Sequence, residues 1–67
     1  MPKKLQLKHD IIVNCYKQDE IVGTYMVTSD HQPTVEEVQF VYETALKKLP
    51  EGRKKIKIEP YYLIPEN

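Results

Sequence analysis

The stretch from Thr34 to Gly52, TVEEVQFVYETALKKLPEG, decides the fold because its apolar residues recur at the spacing of one helix face. Thr34 is followed three residues later by Glu37, a capping-box signature that predicts the start of a helix. Pro50 and Gly52 predict its end after Leu49. At about 100° per residue, seven apolar side chains share one stripe: Val35, Val38, Val41, Tyr42, Ala45, Leu46 and Leu49. This stripe predicts a helix over 34–49 that packs on the rest of the domain.

Two stretches before this helix predict a β-hairpin. From Lys4 to Tyr16 the odd positions share one side, namely Leu5, Leu7, His9, Ile11, Val13 and Cys15, while the residues between them are mostly polar. This period of two is typical of a strand with one buried face. Polar residues interrupt the pattern at 17–20, and Ile21 to Thr28 resumes it with β-branched and aromatic residues. We therefore expect two antiparallel strands.

The length of the hairpin loop stays open at this point. A two-residue loop places Val22 and Met26 on the inner face with Val13, whereas a three-residue loop places Tyr25 and Val27 there. Both registers leave Ile12 and Tyr16 on the outer face, beside either Val22 or Tyr25.

A third strand is predicted after the turn, from Lys54 to Glu59, with Ile56 and Ile58 facing inward. Pro60 cannot donate to a β-ladder, which favours an edge strand, and residues 61–67 are expected to form a flexible tail or to continue the pairing. Residues 1–67 then form one α+β domain. It has a three-stranded antiparallel sheet (β-β-α-β, order 2-1-3) with the helix on one face.

The composition bounds the function. Ten basic residues balance ten acidic ones, so the formal net charge of zero gives no general attraction to phosphate. The single cysteine, Cys15, excludes an internal disulfide and is expected to be a small buried hydrophobe. No segment approaches the roughly 18 apolar residues of a membrane span, so we expect a cytoplasmic protein without a membrane partner.

Catalytic chemistry is not indicated by the sequence. His31 lies beside Asp30 in the connector, but a nucleophile is not adjacent to this pair. The neighbouring carboxylates Asp19-Glu20 and Glu36-Glu37 lack the spacing of a calcium loop. We therefore predict a protein that is not an enzyme, with no catalytic residues, no metal site and no cofactor.

Phe40 is the most informative position for function. In the predicted helix it faces away from the apolar stripe and lies among Glu36, Glu43 and Lys47. Together with Glu37, these carboxylates form an acidic face around one aromatic anchor, a pattern typical of a surface that docks in a basic groove. We predict that Phe40, Glu36, Glu37 and Glu43 bind a larger protein.

The outer face of the hairpin carries a second surplus of apolar surface at Ile12 and Tyr16. These residues are also predicted to bind a partner. They can instead pack against the same residues of a second copy, which would give a two-fold homodimer.

The basic run Arg53-Lys54-Lys55-Ile56-Lys57, with Lys3, Lys4 and Lys8 on the neighbouring strand, has two interpretations. It can contact the phosphates of a nucleic acid through Arg53, Lys54, Lys55 and Lys57. It can also protect an exposed edge strand from aggregation. Because the nearby tyrosines lie beyond the strand rather than among its lysines, the sequence favours edge protection.

The chain resembles the small host RNA polymerase inhibitor proteins of T7-like phages. The resemblance covers the order of elements and the stretch from Thr34 to Pro60, above all the acidic helix start at Glu36-Glu37 and the turn Leu49-Pro50-Glu51-Gly52. Proteins of that family fold as a three-stranded sheet with one helix and bind polymerase without catalysis. The resemblance implies a phage-encoded, stoichiometric inhibitor of a host protein such as RNA polymerase, acting in the host cytoplasm during host takeover.

Overall fold

Four elements account for most of residues 5–64, the part of the chain that the computed structural model describes. They follow in the order β1 (Gln6–Lys17), β2 (Glu20–Ser29), α1 (Val35–Lys48) and β3 (Arg53–Leu63). The strands form an antiparallel sheet of order β2-β1-β3, so the strand with the longest apolar pattern lies at the centre. The predicted α+β fold, β-β-α-β with order 2-1-3, is confirmed.

The hairpin loop consists of Gln18 and Asp19, because Lys17 pairs directly with Glu20. Both loop residues have positive φ angles, 52° and 67°. Two-residue loops with positive φ at both central positions match the right-handed twist of the flanking strands. An aspartate tolerates this conformation better than most residues, so the turn forms without glycine.

A β-bulge follows the loop. Cys15 pairs with Gly23 and the next residue, Tyr16, pairs with Ile21, which leaves Val22 as an extra residue in β2. One inserted residue reverses which side chains of a strand face the core. The hairpin therefore has the two-residue loop, but its inner face carries the side chains that the three-residue loop predicted.

The inner face of the hairpin carries Tyr25 and Val27, which lie opposite Val13 and Ile11. The core consists of Ile11, Val13, Val41 and Ala45, and five partly buried residues pack around it: Tyr25, Val27, Val38, Tyr42 and Leu49. Cys15 is fully buried beside this core, as the sequence predicted, and its thiol donates a hydrogen bond to the carbonyl oxygen of Pro50 at 3.3 Å.

The predicted helix stripe is wrong at two positions. Val35 is 82% exposed and Leu46 is 44% exposed. The contact line follows Val41 and Ala45, and at about 100° per residue Val35 and Leu46 lie about 80° and 100° away from Ala45 around the helix. Both residues therefore lie on the flank of α1 rather than against the sheet.

β3 is longer than the predicted strand at 54–59. It continues through Pro60, so that Tyr61, Tyr62 and Leu63 pair with Lys8, Leu7 and Gln6 of β1 and do not form a tail. An edge strand accepts a proline whose nitrogen faces the open edge, which explains the continuation. The end of the predicted tail, residues 65–67, lies outside the described residues.

The helix covers only part of the inner face. Ile56 and Ile58 face inward, opposite Val13 and Ile11, as predicted. They nevertheless remain 38% and 43% exposed, because α1 packs on β1 and β2. Burial is therefore concentrated on the hairpin side of the sheet.

Candidate interaction surfaces

The outer helix face consists of Phe40, Glu36 and Glu43. Phe40 is 71% exposed in the middle of α1, and both glutamates are exposed one turn away on either side of it. The hydroxyl of Thr44 donates to the carbonyl oxygen of Phe40 at 2.9 Å, within the helix. The structure thus places an exposed aromatic ring and two carboxylates on one face of α1, as the helical spacing predicted.

Glu37 has a different role from the other acidic residues. Its carboxylate accepts a hydrogen bond from the backbone N–H of Thr34 at 3.0 Å, while its own N–H donates to the Thr34 hydroxyl at 3.2 Å. This reciprocal pair is the predicted capping box. The Thr34 N–H and the nearby His31 lower the pKa of Glu37 below its usual range. Glu37 therefore caps the N-terminus of the helix, and its carboxylate already has hydrogen-bond partners within the protein, Thr34 and His31.

His31 lies between two carboxylates. Its Nδ1 is 3.2 Å from Asp30 Oδ1, and its Nε2 is 2.8 Å from Glu37 Oε2. A neutral imidazole can donate from only one nitrogen, so two carboxylate partners favour the protonated ring. The hydrogen bonds that the ring donates to Glu37 and, to a lesser extent, to Asp30 raise the pKa of His31, and the bond that Asp30 accepts from His31 lowers the pKa of Asp30. Sequence reasoning identified only Asp30 as a neighbour of His31, because Glu37 lies six residues further along the chain and the path of the connector brings it close.

The outer sheet face is the side of the sheet away from α1. Ile12 and Tyr16 lie there half-buried, as both registers predicted. Of the two alternative neighbours, Tyr25 is excluded because the bulge turns it to the core. Met26, which is 55% exposed, lies opposite Ile12, and exposed Ile21 lies opposite Tyr16. Sequence reasoning missed Met26 and Ile21 because only the bulge sets this register.

The basic run divides between the two sides of the sheet. Arg53, Lys55 and Lys57 alternate along β3 and lie opposite Tyr16, Asn14 and Ile12 on the outer face. Lys54 lies opposite Cys15, and its ammonium donates to the carbonyl oxygens of Pro50 and Gly52 at 3.0 and 3.1 Å. The predicted group of four basic residues is therefore a group of three. Of the other predicted contributors, Lys8 lies opposite Tyr61 and is separated from the three cations by Asp10 and Glu59, whereas Lys3 and Lys4 lie outside the described range of 5–64.

Tyr16 lies among these cations, although its position in the sequence is far from them. The guanidinium of Arg53 and the ammonium of Lys55 lie 5.7 and 5.6 Å from the centre of the Tyr16 ring. At this distance a cation is attracted to the ring face. Arg53 also contacts Asp19 at 3.6 Å. The sequence-based objection that the aromatic residues lie apart from the lysines therefore applies only to Tyr61 and Tyr62, which belong to β3 but follow its basic part.

The basic column ends at an ion pair. The ammonium of Lys57 lies 2.9 Å from Glu59 Oε1, and this contact raises the pKa of Lys57. Glu59 in turn lies opposite Asp10 on β1. Beyond Lys57 the outer sheet face thus becomes acidic.

A third apolar surface lies at the far end of β1 and β3. β2 ends opposite His9, so the last pairs of these two strands extend past it. The exposed apolar residues there are Leu5, Leu7, Tyr61, Tyr62, Leu63 and Ile64. Sequence reasoning missed this surface because it left open whether residues 61–67 form a tail or continue the pairing.

Comparisons with known proteins give no relative for this chain: no protein-family model, curated protein or solved structure matches it. The part of the chain described here forms no pocket and no group of three histidine, cysteine or carboxylate residues that could hold a metal ion. Within residues 5–64, no helix is long and apolar enough to cross a membrane.

Proposed function

We propose that this protein is a non-enzymatic, stoichiometric ligand that docks on a larger protein through the outer helix face. The observation that carries this proposal is the 71% exposure of Phe40 in the middle of a helix whose opposite side is buried. Because this ring is exposed to water, burying it against a partner would contribute about 1.5–3 kcal/mol to the free energy of binding.

The charges around the ring support a basic docking site on the partner. Glu36 and Glu43 are exposed on either side of Phe40, and neither forms a salt bridge with another residue of the described range, 5–64. Such peripheral charges increase the association rate and select a partner of opposite sign, while a buried aromatic anchor supplies most of the affinity. This division of roles fits a groove that is basic at its rim and apolar at its centre.

The resemblance to phage inhibitors supplies a specific candidate partner, bacterial RNA polymerase. The same order of elements, the acidic helix start and the Pro-Glu-Gly turn support this choice. On this proposal the protein is phage-encoded, acts in the host cytoplasm and inhibits transcription by occupying a surface of the enzyme.

The test is a titration of purified bacterial polymerase with the labelled protein, combined with a transcription assay. We expect saturable one-to-one binding and inhibition. Phe40→Ala should weaken binding by about 2 kcal/mol, or roughly thirtyfold, as loss of a central anchor does. Val35→Ala is the matched control, because Val35 is equally apolar and exposed on the same helix but lies on its flank. It should bind like the wild type.

Two results would contradict the proposal. Absence of binding and inhibition at large molar excess would exclude polymerase as the partner. Equal losses for Phe40→Ala and Val35→Ala would exclude the outer helix face as the docking surface. Substituting Glu36 and Glu43 by glutamine should slow association mainly at low salt, since salt screens exposed charges.

A further inference from the structure

We propose that the outer sheet face binds single-stranded nucleic acid, with a base stacked on Tyr16 and the phosphates held by Arg53, Lys55 and Lys57. This site is separate from the outer helix face, because α1 packs on the other side of the sheet.

The three cations form a straight column. Alternate residues of a strand project from the same side at about 6.8 Å spacing, since each residue rises about 3.4 Å. Arg53, Lys55 and Lys57 occupy three such positions on the edge strand β3, and all three are exposed. The chain is neutral as a whole, but this column places three positive charges in one line. Arg53 and Lys57 also contact Asp19 and Glu59, so a phosphate would compete with these two exposed ion pairs. A line of cations complements the regularly spaced charges of an extended nucleic-acid backbone.

Tyr16 supplies the stacking surface beside the column. It lies on the central strand opposite Arg53, and Arg53 and Lys55 lie within 5.7 Å of its ring centre. Bases stack on aromatic rings irrespective of sequence, and arginine adds cation–π attraction. A base on Tyr16 would thus lie next to the cations that hold its phosphates.

The neighbouring central positions can contact the adjacent bases. Asn14, opposite Lys55, accepts a hydrogen bond on its side-chain oxygen from the hydroxyl of Thr24 at 2.7 Å. This bond fixes the amide so that its NH₂ group is the one presented to a base acceptor. Ile12, opposite Lys57, pairs with Met26 to form an apolar position.

The acidic row beyond Lys57 limits the length of the site. Asp10 and Glu59 face each other there and would repel a phosphate. We therefore expect contacts to about three nucleotides, one for each cation.

An acidic protein segment is the competing occupant of the same cations. Such a segment could pair with the column, but it would gain little from an aromatic ring face. Duplex nucleic acid also fits poorly, because its bases are already stacked and paired. The position of Tyr16 among the cations therefore favours an unpaired strand.

The experiment is a fluorescence anisotropy titration with four labelled probes: a short oligothymidylate, a short oligouridylate, a hairpin duplex and a glutamate-rich peptide. We expect the two single strands to bind most tightly. Their affinity should fall with salt with a log–log slope of about −2, which corresponds to about three phosphate contacts at −0.7 each.

Tyr16 variants test stacking. Tyr16→Leu keeps an apolar side chain but removes the ring, and should weaken single-strand binding on the order of tenfold. Tyr16→Phe keeps the ring and should retain the affinity. Phe40→Ala should bind the oligonucleotide like the wild type, so that failure of this proposal and failure of polymerase docking are distinguishable.

Neighbouring lysines test the column. Lys55→Gln should reduce the salt slope by about 0.7, whereas Lys54→Gln removes the same charge from the other side of the sheet and should leave the slope unchanged. Circular dichroism verifies the fold of each variant. If Lys54→Gln does not fold, Lys47→Gln at the exposed end of α1 serves as the charge control.

Four results would overturn the proposal. The first is that neither single strand binds at low salt. The second is an equal loss of binding in Lys55→Gln and in its control, Lys54→Gln or Lys47→Gln. The third is tighter binding of the acidic peptide with no effect of Tyr16→Leu, which would assign the face to an acidic protein. The fourth is a light-scattering mass of two chains that Met26→Lys reduces to one, which would show that a second copy covers this face.

Discussion

Replacing Gly52 with alanine tests whether backbone geometry fixes the turn between α1 and β3. Gly52 has a φ of +152°, a conformation that residues with a side chain rarely adopt. A Cβ atom built there would lie 2.5 Å from the carbonyl oxygen of Tyr16 and 2.9 Å from the sulfur of Cys15. Tyr16 belongs to the central strand, so its carbonyl cannot retreat without disturbing the pairing with its neighbours.

Two costs combine in this variant. The unfavourable φ costs about 1–3 kcal/mol, and relief of the overlap by a backbone shift costs a further ~1–3 kcal/mol. A 67-residue domain is stable by roughly 3–10 kcal/mol. We therefore expect Gly52→Ala to remove about 2–6 kcal/mol, a large part of the total, and to lower the Tm by about 15–40 °C.

Thermal melting followed by circular dichroism measures this loss, and Gly23→Ala is the matched control. A Cβ atom at Gly23 would meet only side-chain carbons, 3.0 Å from Leu49 Cδ2 and 3.2 Å from Pro50 Cδ. Alanine is also favoured over glycine within a strand by about 0.5–1 kcal/mol. We expect Gly23→Ala to melt close to the wild type. If Gly52→Ala melts at or above the temperature of Gly23→Ala, the conformation assigned to this turn is wrong.

Three further predictions concern the helix and its start. Thr34→Ala should cost about 1 kcal/mol in urea unfolding because it removes the cap; an unchanged midpoint would show that the cap contributes nothing. Val41→Ala should cost about 2 kcal/mol because it leaves a cavity in the core, whereas Phe40→Ala should cost under ~0.5 kcal/mol, and the reverse order would place Phe40 in the core. The raised pKa of His31 means that its stabilising contribution is complete below its ordinary value of 6.5 and is lost as the pH rises through the folded-state pKa. The Tm difference between wild type and His31→Gln should therefore shrink from pH 6 to pH 8.5, and a constant difference would exclude this linkage.

Local signals were sufficient to predict the elements and their order. The capping box at Thr34 and Glu37 marked the helix start, and Pro50 marked its end, because each acts on neighbouring backbone groups. The alternation of β1 assigned Ile11, Val13 and Cys15 to the core, since a period of two directly sets which side faces inward.

The register of β2 on β1 and the part of the sheet that α1 covers could not be predicted, because both depend on contacts between distant residues. Gly23 follows Val22 at the bulge, but an isolated glycine does not by itself fix the position of a bulge, and this bulge decides that Tyr25 faces the core and Met26 faces solvent. The exposure of Ile56 and Ile58 depends on where α1 rests across the sheet. The periodicity of each element alone contains no information on that placement.

The basic run shows the same limit for function. In the sequence, Lys54 and Lys55 are equivalent members of one cluster. In the fold, one stabilises the carbonyl groups of the turn and the other lies beside the ring of Tyr16. Tyr16 lies 37 residues before Arg53 in the chain, so only the pairing of β1 with β3 reveals that they share a site.

The two proposed surfaces lie on opposite sides of a thin molecule. Its principal extents are 49, 25 and 15 Å, with Glu36, Phe40 and Glu43 on the helix side and the cation column on the sheet side. Salt screens charges over about 8 Å at physiological ionic strength, less than the thickness of the molecule, so each surface presents its own field to a partner. A protein bound at Phe40 and a nucleic acid bound at Tyr16 would therefore occupy the molecule together, and substitutions on the two faces should act additively.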